Sequence, residues 1–183
     1  MSEVTINSNI IEESIQRICN IVILQYNDNI SFKDYMKYYS YIYDLMIKDN
    51  SDEYGKNIYE IYTKYIDKYL SENVLPIITN CSNEQLIRSF IDLYEKCSIS
   101  GNYLKKIIFQ YFERFYVVNE DLADTCVYIL KSFYENVFKE IKNRIDDCIK
   151  HSIHVIRTDE SDSIISPTST KLSELQSISK IYY

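Results

Sequence analysis

Glycine and proline are nearly missing from this sequence, with two of each in 183 residues. Hairpins and sheet corners consume Gly, Asn and Pro at short intervals, so a many-stranded sandwich or barrel is excluded and an all-α fold is expected. Alanine is almost missing too: Ala123 stands alone in a chain rich in Ile, Asn and Lys, a mixture typical of AT-rich coding sequence. Some of the 19 tyrosines therefore occupy positions where another composition would use Phe or Leu, and their number alone does not mark an interface. Long apolar runs are also lacking. A cluster such as Ile21 to Leu24 is far shorter than the roughly 20 residues of a membrane span, so no membrane association is expected. Nor is there an excess of positive charge: Asp plus Glu number 27 against 20 for Lys plus Arg, a net charge of -7. Binding to a phosphate backbone runs on Lys and Arg, which argues against a nucleic-acid partner.

The five cysteines, Cys19, Cys81, Cys97, Cys126 and Cys148, are odd in number, scattered and never spaced as C-x-x-C. With no basic and then apolar leader in MSEVTINSNI, they point to a reduced, intracellular protein, cytoplasmic and/or nuclear. The phosphate-binding loops, the H-E-x-x-H helix and the G-x-S-x-G elbow are all absent, which argues against an enzyme and implies no cofactor. Cys148, His151 and His154 are spaced i, i+3, i+6 and could offer sulfur and nitrogen ligands to zinc. No fourth ligand accompanies them, and a buried Cys with two histidines at a helix C-terminus accounts for the same residues, so no metal site is assigned. The acid pairs Glu12 with Glu13 and Asp146 with Asp147 point about 100° apart on a helix and read as solvated faces.

Apolar residues recur at helical spacing in five or six segments. The first runs from Asn9 to Gln25, with Ile11, Ile15, Ile18 and Val22 on one face. Ser31 is a candidate N-cap for the second, Phe32 to Ile47. The third spans Lys56 to Val74, with Ile58, Ile61, Tyr62, Tyr65 and Tyr69 inward and Pro76 at a kink or junction beyond it. Ser82 and Gln85 form a capping-box-like start to the fourth, which carries Leu86, Ile87, Phe90, Ile91 and Tyr94 and is expected to end at KCSISGN, with Gly101 as loop punctuation. The fifth, Asn102 to Tyr116, places Leu104, Ile107, Ile108, Tyr111, Phe112 and Phe115 on a broad apolar side. The last runs from Leu122 to His154. The expected organisation is a single helical domain over residues 1–156 and a Ser/Thr-rich, disordered tail over 157–183. Ser166 before Pro167 offers a phosphorylation dipeptide in that tail.

The most informative segment is SFKDYMKYYSYIYDLMIK, whose apolar residues exceed what one core-facing stripe can hold. Tyr38, Ile42, Leu45 and Met46 form one stripe; Tyr35, Met36, Tyr39 and Tyr43 form another, rotated around the helix. If the first is core, the second is a surface row of the residue types enriched at interface centres. If the helix is packed on two sides, both are buried.

Three stretches resemble the N-terminal end of the cullin family, in the family's order. YMKYYSYIY (Tyr35 to Tyr43) is similar to its aromatic-x-x-Leu-Tyr-x-x-Val-Tyr pattern, and GKNIYEIYTKYIDKYL (Gly55 to Leu70) resembles its G-x-x-L-Y helix. YFERFYV (Tyr111 to Val117) resembles the Y-L-[DN]-R-x-[WY]-V signature closing the fifth helix of the first cullin repeat. CVYILKSFYENVFKEIKNRIDDCIKHSIHVIRTDES continues the likeness, which covers residues 10 to 160. The resemblance implies a five- to six-helix bundle like a single cullin repeat, whose second and fifth helices face the BTB fold of a ubiquitin-ligase adaptor. The partner-binding residues it implies are Tyr35, Met36, Tyr39 and Tyr43 on the second helix. On the fifth they are Ile99, Ser100, Asn102, Tyr103 and Lys106, in a register open by one residue. Tyr35 with Met36 resembles the cullin that binds the Skp-type F-box adaptor; a register beginning at Phe32 looks more like the cullin of BTB-domain adaptors but puts Ser40 where that family has Tyr. Later repeats and the RING-recruiting domain have no counterpart in the sequence, so the expected role is a competitor or decoy that occupies adaptors, with a viral or parasitic source suggested by the composition. The alternatives are a scaffold that redirects adaptor-bound substrates through the tail, and an unrelated helical interaction protein of the Bcl-2 kind, of which SGNY (Ser100 to Tyr103) is the only trace.

Overall fold

The computed structural model describes residues 6–26, 29–48 and 52–159, with side chains to 154. Among them are six helices and no strand. They are α1 (Ser8–Val22), α2 (Phe32–Lys48), α3 (Glu53–Tyr69), α4 (Asn83–Tyr103), α5 (Gln110–Phe112) and α6, which begins as Thr125–Phe133. Four of these rods contain or end in a wider π turn. α3 passes through one at Leu70–Val74 into a last segment, Leu75–Thr79, while α4 continues through Leu104–Ile108 and α5 through Glu113–Val117. α6 has its own at Tyr134–Phe138 and then runs on as Lys139–Asp159. The expected tail lies outside the described residues, apart from its first positions, which continue α6.

α1 packs on α3, α4 runs along α6, and α2 lies against α1, the end of α4 and α5. The shared core is built from the expected stripes: Ile11, Ile15 and Ile18 of α1, Ile58, Tyr62 and Tyr69 of α3, and Leu86 and Phe90 of α4 are all buried. Tyr62 sits at the centre, its ring 5.5 Å from Phe109 and 6.0 Å from Phe112. Polar groups that enter this interior have partners. Asp67 of α3 accepts from Tyr128 (3.0 Å) and Ser132 (2.5 Å) of α6. Arg144 of α6 donates to the carbonyls of Thr79 (2.9 Å) and Cys81 (2.8 Å), closing the carbonyl end of α3 that no further helical turn could satisfy.

The expected break at KCSISGN is overturned. α4 runs straight through it, and the interruption falls instead at Phe109, where ψ opens to 11°. The polar residues that suggested a loop satisfy themselves inside the helix: the Ser100 hydroxyl donates to Lys96 O (2.9 Å) and the Asn102 amide to Ser98 O (3.0 Å). Gly101 is not loop punctuation either. It is buried where α4 crosses α6, and a Cβ on it would stand 2.8 Å from Cys126 Cα, so the close crossing requires its missing side chain. Other boundaries move by a few residues. α1 ends at Val22 rather than Gln25, and α3 begins at Glu53 and extends to Thr79, with Pro76 in the first turn after its π turn, where a missing N–H costs nothing. α6 starts at Thr125, capped by Asp124, which accepts the Val127 N–H at 2.8 Å.

Gly55, on α3, makes an even closer contact. A Cβ there would lie 2.2 Å from Tyr116 Cδ2, inside the ring of α5. Glu113 of α5 is buried and accepts from both the N–H (2.8 Å) and the hydroxyl of Thr125, pinning the start of α6. Burial pushes its carboxyl above the ordinary value, opposed in part by those hydrogen bonds.

Gly55→Ala is expected to cost about 1–3 kcal/mol of overpacking and so to lower the melting temperature by several degrees despite alanine's better helix propensity. A smaller side chain in Tyr116→Leu should relieve most of that loss in the double variant, as read from thermal melts. For Glu113, the raised folded value means that the group favours the fold when protonated, and that this contribution is lost as pH rises. Glu113→Gln, which keeps an acceptor for Thr125, is therefore expected to melt above the parent at pH 7, with the gap shrinking as pH falls toward the ordinary glutamate value of 4.5.

Candidate protein-docking surface

α2 begins at a capping box. The Ser31 hydroxyl oxygen accepts the Asp34 N–H at 3.1 Å, and the hydroxyl donates to the Asp34 carboxylate at 2.8 Å. Arg17 of α1 reaches the same carboxylate at 2.9 Å, and Lys37 pairs with Glu13 at 2.8 Å, so α2 is fixed to α1 along its first half. Those anchors set its rotation. Tyr38, Ile42 and Leu45 face inward and are buried, with the Tyr38 hydroxyl donating to Glu13 at 2.9 Å; Met46, expected beside them, is half-buried.

The second stripe therefore stays at the surface edge. Tyr35, Tyr39 and Tyr43 are half-buried, and Met36 is exposed. Residues four apart rise by about 6 Å along a helix, and the three rings stack at that spacing, with centroids 6.0 and 5.9 Å apart. The row extends beyond what the sequence suggested. Phe32, 77% exposed, stands 6.1 Å from Tyr35 at one end. At the other, Tyr43 meets the Tyr111 edge at 4.8 Å, and Tyr111 lies 4.3 Å from Phe115. Six aromatic rings thus form one ladder across α2 and α5.

The residues expected on the fifth helix are divided by the fold. Tyr103, half-exposed, lines a groove of ≈ 520 Å³ with Tyr35, Phe32, Ile107 and the end of α1, so it does meet the α2 row. Ile99 is exposed one turn before it on α4. Ser100 is fully buried against Lys96 O and lies in the interior, because its side chain faces the crossing at which Gly101 packs on α6. Asn102 turns toward α6, with Cys126 Sγ 3.4 Å from its amide. Lys106 lines a different groove, between α5 and α6. A π turn holds one residue more than an α turn, and the one at Leu104–Ile108 rotates everything after it; this is the single-residue register that spacing alone left open.

Phe32, Tyr111 and Phe115 are the ladder residues that sequence reasoning did not place at the surface. Phe115 had been grouped with the apolar side of its helix; it is 45% exposed. The available signal was its i, i+4 spacing from Tyr111. Among the described residues no group of three His, Cys, Asp or Glu side chains is placed to hold a metal ion. Cys148 is half-buried with its thiol pushed up by burial, while His151 and His154 are exposed. No helix among the described residues is long and apolar enough to cross a membrane.

Stacked helical rods with an aromatic ladder on one flank define a unit of an α-solenoid. The model of the Cullin alpha solenoid domain matches residues 8–183, and the chain belongs to the cullin family. It is 28% identical over 126 residues to the Arabidopsis thaliana putative cullin-like protein 1, covering 69% of this chain and 17% of that protein. To Cullin-1 of rice (Oryza sativa subsp. japonica) it is 22% identical over 138 residues, covering 75% of this chain and 18% of the relative. The Arabidopsis thaliana putative cullin-like protein 2 is 24% identical over 158 residues, 82% of this chain and 40% of that protein. The chain thus spans less than half the length of these relatives.

The two stripes of α2 should separate experimentally. Tyr38→Ala is expected to destabilise the chain by about 3–5 kcal/mol. Tyr39→Ala, on the ladder, should cost no more than about 1 kcal/mol. Chemical denaturation of both variants beside the parent checks this.

Proposed function

We propose that the chain is a non-enzymatic docking module of ubiquitin-ligase assembly, which binds the BTB fold of a Skp-type F-box adaptor or a BTB-domain adaptor. The observation that carries this reading is the aromatic ladder. α2 buries Tyr38, Ile42 and Leu45 and still leaves Tyr35, Met36, Tyr39 and Tyr43 as an aligned row at the surface, supported from behind by Tyr111. Aromatic and Met side chains held in place by their neighbours lose little freedom on binding, which suits them to the centre of an interface. Membership of the cullin family supports the ligase context, and Tyr103 beside Tyr35 in a shared groove supports a contact that draws on both helices. A polypeptide consisting of these 183 residues would occupy an adaptor on this face and compete there with a full-length cullin.

The test is a calorimetric titration of the purified chain against an F-box adaptor and a BTB-domain adaptor, with the Tyr35→Ala/Met36→Ala double variant as control. Sub-micromolar binding to one of them, weakened at least tenfold in the variant with its melting temperature kept, is the expected result. Binding that displaces full-length cullin from the same adaptor in a pull-down supports the competitor role. No binding to either adaptor removes the reading.

A further inference from the structure

A second groove lies between α5 and α6, and it has no part in the ladder of α2. Val118, Leu122 and Val127 are 71%, 36% and 54% exposed and line it together with Lys106, Arg114 and Asp121, around a volume of ≈ 720 Å³. An exposed apolar floor of this kind loses contact with water when something covers it, which favours a partner. Its charges say which partner. Asp124 is already engaged twice, by the Val127 N–H at 2.8 Å and by Lys105 at 2.6 Å. Glu113 is buried and bonded to Thr125. The rim charges that remain are the exposed Lys106 and Arg114 against the single exposed Asp121, and none of these three side chains has a hydrogen bond or ion pair among the described residues. In a chain of net charge -7, this rim carries more positive than negative charge that is free to bind.

We propose that this groove is a second docking site, which takes an acidic, apolar peptide segment of a partner protein. Apolar side chains of the segment cover Val118, Leu122 and Val127, and its carboxylates pair with the Lys106 ammonium and the Arg114 guanidinium, the latter able to hold a carboxylate through two parallel N–H bonds. A basic segment would meet like charge at the rim, and a polar one would leave the floor wet. Lys106 belongs to this site by geometry, not to the α2 row.

The test pans a displayed library of random 12-residue peptides against the immobilised full chain. Enriched peptides are then synthesised with a fluorophore and titrated by anisotropy against the parent, Lys106→Glu/Arg114→Glu, Val118→Asp and Tyr39→Ala. The expected result is enrichment of sequences that combine Asp or Glu with large apolar residues. Their binding should fall at least tenfold in the double variant and in Val118→Asp, weaken with added salt, and persist in Tyr39→Ala. Melting curves establish that the variants fold, and Lys106→Gln/Arg114→Gln replaces the double variant if charge reversal unfolds it. No enrichment, enriched peptides without acidic residues, or peptides that bind the double variant as well as the parent each overturn the proposal. So does binding lost in Tyr39→Ala and kept in the double variant, because it places the peptides on the ladder. Because no adaptor is used, failure here is distinct from failure of the adaptor reading.

Discussion

The ring of Tyr116 rests where the side chain of residue 55 would be, and the arrangement of the second half of the molecule follows from that contact. With glycine at 55, α5 can lie directly on the backbone of α3. Its short span then places three neighbours in turn: Phe112 against the central Tyr62, Tyr111 against Tyr43 of α2, and Glu113 under the first residue of α6. One close approach therefore joins the core, the surface ladder and the start of the longest helix. Its two partners come from separate stretches of the chain, GKNIYEIY and YFERFYV.

A second constraint acts on α2. A helix packed along one side can bury a stripe of limited width, and this one carries more aromatic surface than that stripe holds. Ion pairs to α1 fix which residues turn inward. The excess appears as a row at 6 Å intervals because that is the rise of four residues, and the row continues onto α5 only because Tyr111 is delivered there from elsewhere. The surface is thus a by-product of core packing on one helix and of tertiary placement on another. The charged groove between α5 and α6 arises at the same corner, from side chains on the far side of α5 and along the connection that leads into α6.

Much of the fold was legible in the residues themselves, for identifiable reasons. Scarcity of Gly and Pro excluded sheets with many turns, and the 3.6-residue recurrence of Ile, Leu and Tyr located the helices and most of the core. Ser31 before FKDYMKYY marked a helix start that its hydroxyl does cap. The Tyr35–Tyr39–Tyr43 row was visible as a second stripe. KCSISGN misled because serine, glycine and asparagine are what a loop looks like locally. Here they are what a close helix crossing needs: a missing Cβ at Gly101, and short polar side chains that bond back to their own helix.

The sequence by itself determined the helical class, the inward stripe of each helix, the cullin likeness and the excess of aromatic residues on α2, because these depend on spacing along a single rod. Tertiary structure alone decided that Ser100 is interior, that Tyr103 joins Tyr35 while Lys106 does not, and that Tyr111 and Phe115 extend the ladder. Each of those depends on a rotation introduced by a π turn or on a distance between two rods. A π turn adds one residue with no residue type of its own to announce it, and the distance between rods is fixed by a glycine and a ring that lie some sixty residues apart.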